Sequence, residues 1–313
     1  MGLFKRKDLL GLRNVEKEEI KTLLETAVPM RDIITRAIKK VPALKGKAIV
    51  NVFYENSTRT STSFELAGKY LSADTINLSV SRSSVQKGES LKDTIKTIEM
   101  MGADILVMRH PSSGAPHYVA RNTSARVINA GDGINEHPTQ ALLDMYSILR
   151  HKGTLEGLKI AIVGDILHSR VARSNIFGLS KFGCELRVIG PSTLIPSNIE
   201  KLGVKVYSNL ESGLRDVDII NVLRIQKERQ QGVLFPSVDE YQELYMVTPR
   251  HLDLAADDAI VLHPGPMNRG IEISTELAES PRCLVNEQVT NGVAVRMAIL
   301  YLMLGGGKDE ITY

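Results

Sequence analysis

A chain of 313 residues can bury a sizeable core and is long enough for two domains. Its composition, 43% hydrophobic and 24% charged with a net charge of +3, is that of an ordinary globular protein. The basic excess is too slight to announce a nucleic-acid partner, although small anions would suit it. No apolar run approaches the roughly eighteen residues that span a bilayer, and Met1 to Asp8 lacks the apolar core of a signal peptide. The sequence therefore predicts a cytoplasmic chain without a membrane partner. Cys184 and Cys283 are far apart, lie in or beside apolar runs and have no metal-ligand spacing, which predicts buried thiols rather than a disulfide or a metal centre.

In chain order, a helical region from Val15 to about Lys39 comes first, its apolar residues spaced for one buried stripe, with an interruption predicted at Pro29. Short β-branched runs follow at Ala48–Tyr54, Thr75–Leu78, Ile105–Arg109 and Arg126–Asn129, with a helix over Ser63–Leu71 after the first. A helix over Pro138–Arg150, with proline at its first position, closes this half. After the polar, glycine-bearing link His151–Gly157 a second series begins: Lys159–Gly164, Leu186–Gly190, Val204–Tyr207, Asp218–Val222 and Ala259–Leu262. The last helix, Glu287–Leu304, is out of sequence with the second sheet and is expected to pack elsewhere. Strands alternating with helices predict an α/β chain of two doubly wound domains, each a mainly parallel sheet flanked by helices.

Open sheets of this kind bind ligands beyond the carboxyl ends of their strands, and several such ends carry polar clusters. Ser57-Thr58-Arg59-Thr60 follows the first strand and opens a helix, where unpaired N–H groups and the positive end of the helix dipole suit an oxyanion, phosphate above all. Met108-Arg109-His110-Pro111 follows the third strand, and His137-Pro138-Thr139-Gln140 lies beyond the fourth. His137 precedes the proline that starts a helix, a place that disfavours extra positive charge and suits a neutral donor to a carbonyl oxygen. In the second half, Arg170 and Arg224 could each clamp a carboxylate through two parallel N–H bonds, whereas Lys227, Glu228 and Arg229 read as a solvated face. His263-Pro264-Gly265-Pro266 makes a rigid turn that could present backbone carbonyls to an amine. Neither the dinucleotide fingerprint nor the lysine-bearing phosphate loop is present.

These motifs, together with Ser83 and Lys87-Gly88-Glu89 and the run Arg224-Ile225-Gln226-Lys227-Glu228-Arg229, resemble nearly end to end the catalytic chains of aspartate carbamoyltransferases, in the aspartate/ornithine carbamoyltransferase superfamily. The resemblance implies transfer of the carbamoyl group of carbamoyl phosphate to L-aspartate for pyrimidine biosynthesis, with no cofactor and no metal. It implies a carbamoyl phosphate-binding domain of residues 1–138 with 287–313, an aspartate-binding domain of residues 139–286, and an active site in the cleft between them. Ser57, Thr58, Arg59, Thr60 and Arg109 would hold the phosphate. Thr60, Arg109 and His137 would point at the carbonyl oxygen, and Gln140 would bind the carbamoyl NH2. Arg170, Arg224 and Gln226 would hold the aspartate carboxylates, and the Gly265 and Pro266 carbonyls would help place the substrates. A homotrimer with shared sites is implied, in which Ser83 and Lys87 arrive from the neighbouring chain, Lys87 reaching both substrates.

Two departures stand out. Ser61 replaces an arginine common after the first motif, which puts a supporting ion pair in doubt, and Gly265 replaces the leucine found between the prolines in chains that bind a regulatory subunit. The second departure resembles the subclass that works without those subunits, sometimes beside dihydroorotase. The competing readings are an ornithine or other amine carbamoyltransferase and a catalytically silent scaffold. Against the first, a cationic substrate would meet Arg170 and Arg224, and Pro264 stands where ornithine enzymes typically carry cysteine. Against the second, Arg59, Lys87, Arg109 and His137 are all present.

Overall fold

β-branched runs of three to seven residues form the centres of two parallel sheets in the computed structural model, which describes residues 4–79, 89–225 and 237–305. The chain divides into two compact units, one of Met1–Tyr146 with Thr290–Tyr313 and one of Ser147–Val289. Both divisions fall inside helices, Pro138–Lys152 and Val285–Met303, the helices in which the sequence reading also placed them, at residues 138 and 287. A continuous helix gives no compositional sign of where its packing partners change.

The first unit runs α1 (Lys17–Thr35), β1 (Ala48–Phe53), α2 (Thr58–Tyr70), β2 (Asp74–Ser79), α3 (Leu91–Met100), β3 (Ile105–His110), α4 (Ala115–Asn122), β4 (Arg126–Asp132) and α5 (Pro138–Lys152), which enters the second unit at Ser147. Its four strands are parallel in the order β2-β1-β3-β4. Alternation along each strand sends side chains to both faces. Val50, Val52, Leu106, Met108 and Val127 form one core with Ile95 and Ile98 of α3 and Val119 of α4. On the other face, α2 lies so close that a Cβ at Gly68 would stand 2.4 Å from Thr75 Oγ1 and 3.1 Å from Ile49 Cδ1.

Two sequence expectations change. Helix α1 runs through Pro29 without a break. Burial of Met30 and Ile33 beyond the proline, worth roughly 1.5–3 kcal/mol each, offsets the ~3 kcal/mol that an interior proline costs. Helix α2 begins at Thr58, five residues before the sequence reading placed it, so the Ser-Thr-Arg-Thr motif is its first turn.

The second unit runs β5 (Lys159–Val163), α6 (Arg170–Leu179), β6 (Glu185–Ile189), β7 (Val204–Tyr207), α7 (Leu210–Leu214), β8 (Ile219–Val222), α8 (Val238–Tyr245), α9 (Pro249–Leu252), β9 (Ile260–Leu262) and α10 (Thr275–Glu279). Its sheet is parallel in the order β7-β6-β5-β8-β9. Ala161, Val163, Ile220, Val222 and Val261 meet Leu210, Leu214, Leu252 and Leu277 in one core. Helix α11 (Val285–Met303) starts in this unit and from Thr290 onward belongs to the first, where Asn291 accepts from Arg31 Nε at 2.9 Å.

The cysteines are free and half-buried rather than fully enclosed. Burial pushes the Cys184 thiol up to about 11, and its Sγ donates to the Leu155 carbonyl at 3.0 Å. Alkylation of native Cys184 by iodoacetamide at pH 8 is therefore expected to run at least tenfold slower than in the urea-unfolded chain, because the thiolate is the reacting form. Equal rates, read by mass spectrometry of the labelled peptide, would contradict the buried-thiol account.

Candidate active site

The site builds outward from the end of β1. Ser57 sits at the N-cap of α2, but its hydroxyl, rather than capping the helix, accepts from Arg109 Nη1 at 3.0 Å. The first-turn N–H groups of α2 are thus not used up by a side-chain cap, which is the condition for an anion to dock there. Arg109 comes from the neighbouring strand, where Phe53 pairs with Arg109 in register, so its side chain leaves β3 beside the end of β1. Its Nε donates to Glu55 Oε2 at 3.0 Å, and Nη1 also reaches Thr60 Oγ1 at 3.5 Å. Ser57, Thr60 and Arg109 are thereby brought together, with Thr60 buried and Arg59 and Thr58 exposed on the same helical turn. Ser61 bonds back to the Ser57 carbonyl at 2.9 Å, so within the helix it has the local role of a short hydroxyl side chain.

His110 turns away from this cluster. Its Nδ1 accepts from the Ser112 N–H at 2.9 Å, its ring lies 4.8 Å from that of Tyr54, and burial depresses its basicity.

His137 and Gln140 share the start of α5, where the Gln140 N–H donates to the His137 carbonyl at 3.0 Å. The segment before them is held by carboxylates that sequence reasoning did not single out. Asp132, fully buried, accepts from Gly114 N at 2.7 Å, Asn129 Nδ2 at 2.8 Å and Glu136 N at 3.1 Å. Glu136 accepts from Leu12 N at 2.7 Å, so close to the preceding residue that a Cβ at Gly11 would lie 2.2 Å from its Oε1. The side chains of His137, Thr139 and Gln140 are all buried, and Gln140 Nε2 donates to Asp144 Oδ1 at 3.0 Å. This orientation presents the amide Oε1 as the acceptor, the end needed to bind an NH2 group.

Beneath α2 lies another residue the sequence did not flag. Arg296 of α11 is buried, donates from Nη1 to Ser63 Oγ at 2.9 Å and stacks its guanidinium over Phe64 at 5.2 Å. Burial lowers its pKa to about 10, the like charge of Arg109 acts in the same direction, and Asp144 opposes them. It remains charged at neutral pH.

In the second unit, Arg170 is the first residue of α6 and is buried, its turn fixed by Ser169 Oγ, which accepts from Ala172 N at 3.1 Å. Just upstream, the buried Asp165 accepts from the His168 N–H at 3.1 Å and lies 2.9 Å from His168 Nδ1. Arg224 stands two residues past β8 and is half-buried. The turn after β9 is held by a buried pair. Gly265 N donates to His263 Nδ1 at 2.8 Å, which places the ring proton on Nε2, and Nε2 donates to Glu272 Oε1 at 3.2 Å. Glu272 also accepts from the Asn268 side chain at 3.1 Å, and both His263 and Glu272 have side chains with 0% exposure. Gly265, at φ 64°, occupies the left-handed region that favours glycine, and the Gly265–Pro266 peptide is cis. The expected contacts Ser83, Lys87 and Gln226 lie outside the described residues.

Among the described residues no group of three or more His, Cys, Asp or Glu is placed to hold a metal ion, and no helix is long and apolar enough to cross a membrane. A hollow on α3 lined by Asp93, Lys96, Thr97, Met100 and Met101 contains none of the residues above.

Residues 7–150 match the aspartate/ornithine carbamoyltransferase carbamoyl-P binding domain, and residues 156–303 match the Asp/Orn binding domain. An aspartate carbamoyltransferase catalytic subunit from Syntrophomonas wolfei is 72% identical over 308 residues, which is 98% of this chain and 99% of that one. The protein of the same name from Desulforamulus reducens is 63% identical, with 99% of each chain covered. Among solved structures, the catalytic subunit of M. jannaschii aspartate transcarbamoylase superposes with a TM-score of 0.85 at 38% identity, covering 97% of this chain and 100% of that one. Trypanosoma cruzi aspartate transcarbamoylase in complex with N-(phosphonacetyl)-L-aspartic acid superposes with a TM-score of 0.87 at 31% identity, covering 95% of this chain and 96% of that one. With both domains matched and relatives of high identity along nearly the whole length, the chain belongs to the aspartate/ornithine carbamoyltransferase family.

Proposed function

We propose that the chain transfers the carbamoyl group of carbamoyl phosphate to the amine of L-aspartate, forming N-carbamoyl-L-aspartate and phosphate. The observation that carries this reading is the joining of Arg109, Ser57 and Thr60 at an uncapped helix N-terminus, a ready-made phosphate site with donors beside it. The matched relatives are named as aspartate carbamoyltransferases, and related T. cruzi structures hold carbamoyl phosphate with aspartate.

In this reading the α2 turn (Ser57, Thr58, Arg59, Thr60) and Arg109 hold the phosphate, and Gln140 Oε1 accepts from the carbamoyl NH2. The aspartate nitrogen attacks the carbonyl carbon, and the oxygen, becoming an oxyanion, is met by Thr60, Arg109 and His137. The C–O bond to phosphate then breaks, its electron pair leaves with phosphate, and the departing phosphate takes the amine proton. Fixed donors of this kind contribute about 3 kcal/mol each, so positioning and preset dipoles account for the rate without a covalent intermediate. Arg170 and Arg224, with Gln226, hold the aspartate carboxylates, and the Gly265 and Pro266 carbonyls orient the reacting groups. The reading extends to a cytoplasmic homotrimer serving pyrimidine biosynthesis, in which Ser83 and Lys87 of a neighbouring chain complete each site. Regulatory chains or dihydroorotase are the candidates for any larger assembly.

The test is product analysis with carbamoyl phosphate and either L-aspartate or L-ornithine on the purified chain alone. Carbamoyl-aspartate without citrulline is expected, since two guanidinium groups would oppose a cationic second substrate. Citrulline, or no product from either amine, would overturn the assignment.

A further inference from the structure

Two guanidinium groups from other elements bond to helix α2, one turn apart on a single face. Thr60 and Ser63 are three residues apart and both buried, so their hydroxyls point the same way from α2, about 4.5 Å apart along its axis. Arg109 reaches the first and Arg296 the second. The two cations act on each other unfavourably.

The Arg296 charge is compensated only weakly. Among the described residues its one hydrogen bond goes to a neutral hydroxyl, its stacking partner is Phe64, and its Nε is buried with no hydrogen-bond partner. Asp144 acts on it electrostatically, but the carboxylate is also the acceptor for Gln140. A cation taken out of water and left short of counter-charge is costly to the fold, and any anion that arrives nearby recovers part of that cost. The surroundings are shaped for the group nevertheless. Gly292, one turn earlier on α11, leaves the space it fills, since a Cβ there would stand 2.6 Å from Arg296 Nη1.

We propose that Arg296 is a positioning residue for anion binding, its buried charge set behind α2 so that the first turn of that helix favours phosphate. The proposal rests on the phosphate site read above. It assigns Arg296 no contact with substrate: the charge acts through the low-dielectric body of α2, and the hydrogen bond to Ser63 fixes where the helix stands. From Ser63 to the N-cap at Ser57 is about 9 Å of helix, and across that distance at an effective dielectric near 20 one unit charge changes anion affinity roughly tenfold or more.

The experiment measures the dissociation constant of inorganic phosphate by isothermal titration on the full chain and on the Arg296→Met and Arg296→Lys variants. Methionine keeps length and the contact with Phe64 but not the charge; lysine keeps the charge but not the planar fork. Arg296→Met is expected to weaken phosphate binding about tenfold and to raise KM for carbamoyl phosphate by a similar factor, with kcat at saturation changed less than about threefold. Arg296→Lys is expected to stay within about threefold of the parent. Parent-like phosphate binding by a folded Arg296→Met protein would overturn the proposal, as would a loss in the lysine variant as large as in methionine. If Arg296→Met does not fold, the lysine variant decides alone, near-parent affinity supporting the charge role and a tenfold loss removing it. Failure of the parent chain itself to bind phosphate would remove the site reading and the proposal together, whereas binding by the parent with no change in Arg296→Met removes the proposal alone.

Discussion

Arg109→Ala is expected to lower kcat about a thousandfold while the protein stays folded. One oxyanion donor at a closed site is worth about 2.7–4 kcal/mol in the transition state, and Arg109 is also a phosphate ligand in this reading. The substitution has a second effect, because Glu55 loses the guanidinium held 3.0 Å from it and its negative charge then faces the arriving phosphate. KM for carbamoyl phosphate is therefore expected to rise as well. The fold is expected to survive, since Glu55, the ion-pair partner left behind, is 22% exposed and can be rehydrated. Steady-state kinetics with a melting curve on the same sample would check this, and turnover within tenfold of the parent would remove Arg109 from the chemistry.

The second large effect falls on stability rather than chemistry. Glu272→Leu removes the acceptor for His263 Nε2 and for the Asn268 backbone and side-chain N–H groups, all near a carboxylate with 0% exposure. Leaving buried donors unpaired costs about 1–3 kcal/mol each, so a loss of about 3 kcal/mol or more is expected. At about 1.5 °C per kcal/mol for a chain of 313 residues, the melting temperature should fall by about 5 °C. Glu272→Gln keeps an acceptor oxygen and should lose less than half as much. A fall below about 2 °C in the leucine variant would show that the turn at Gly265 does not depend on the pair.

Much of this architecture can be read from local signals because those signals are local in origin. A strand covered on both faces has to be apolar throughout, so Ile105–Met108 or Ile160–Val163 stands out without any knowledge of its neighbours. The clusters at strand ends stand out for a related reason: Ser57, Arg109, His137 and Arg170 are polar residues placed at abrupt boundaries between apolar elements. What the sequence hides is whatever depends on a distant partner. Glu55, Asp132, Asp144 and Glu272 look like ordinary surface acids until the fold surrounds them, and no spacing links Arg296 to Ser63, 233 residues away. Pro29 shows the converse, a strong local rule overridden by the packing of Met30 and Ile33. The bonded pair Arg109 and Ser57 lies between: each motif is visible, but only the register of Phe53 with Arg109 says that they meet.

The first unit is closed by a segment that is translated after the second unit. Residues up to Tyr146 leave the ribosome early, but the helix that brings Asn291 to Arg31 and Arg296 to Ser63 follows only after the whole second unit has been translated. At roughly 5–20 residues per second that interval is on the order of 10–30 s. During it, the nascent first unit lacks Ala294, Val295, Ala298 and Ile299, all buried in the finished protein, while the second unit, continuous in sequence, can fold as it emerges. The first unit is thus begun before the second and completed after it, and the period of greatest exposure to chaperones and to aggregation belongs to it.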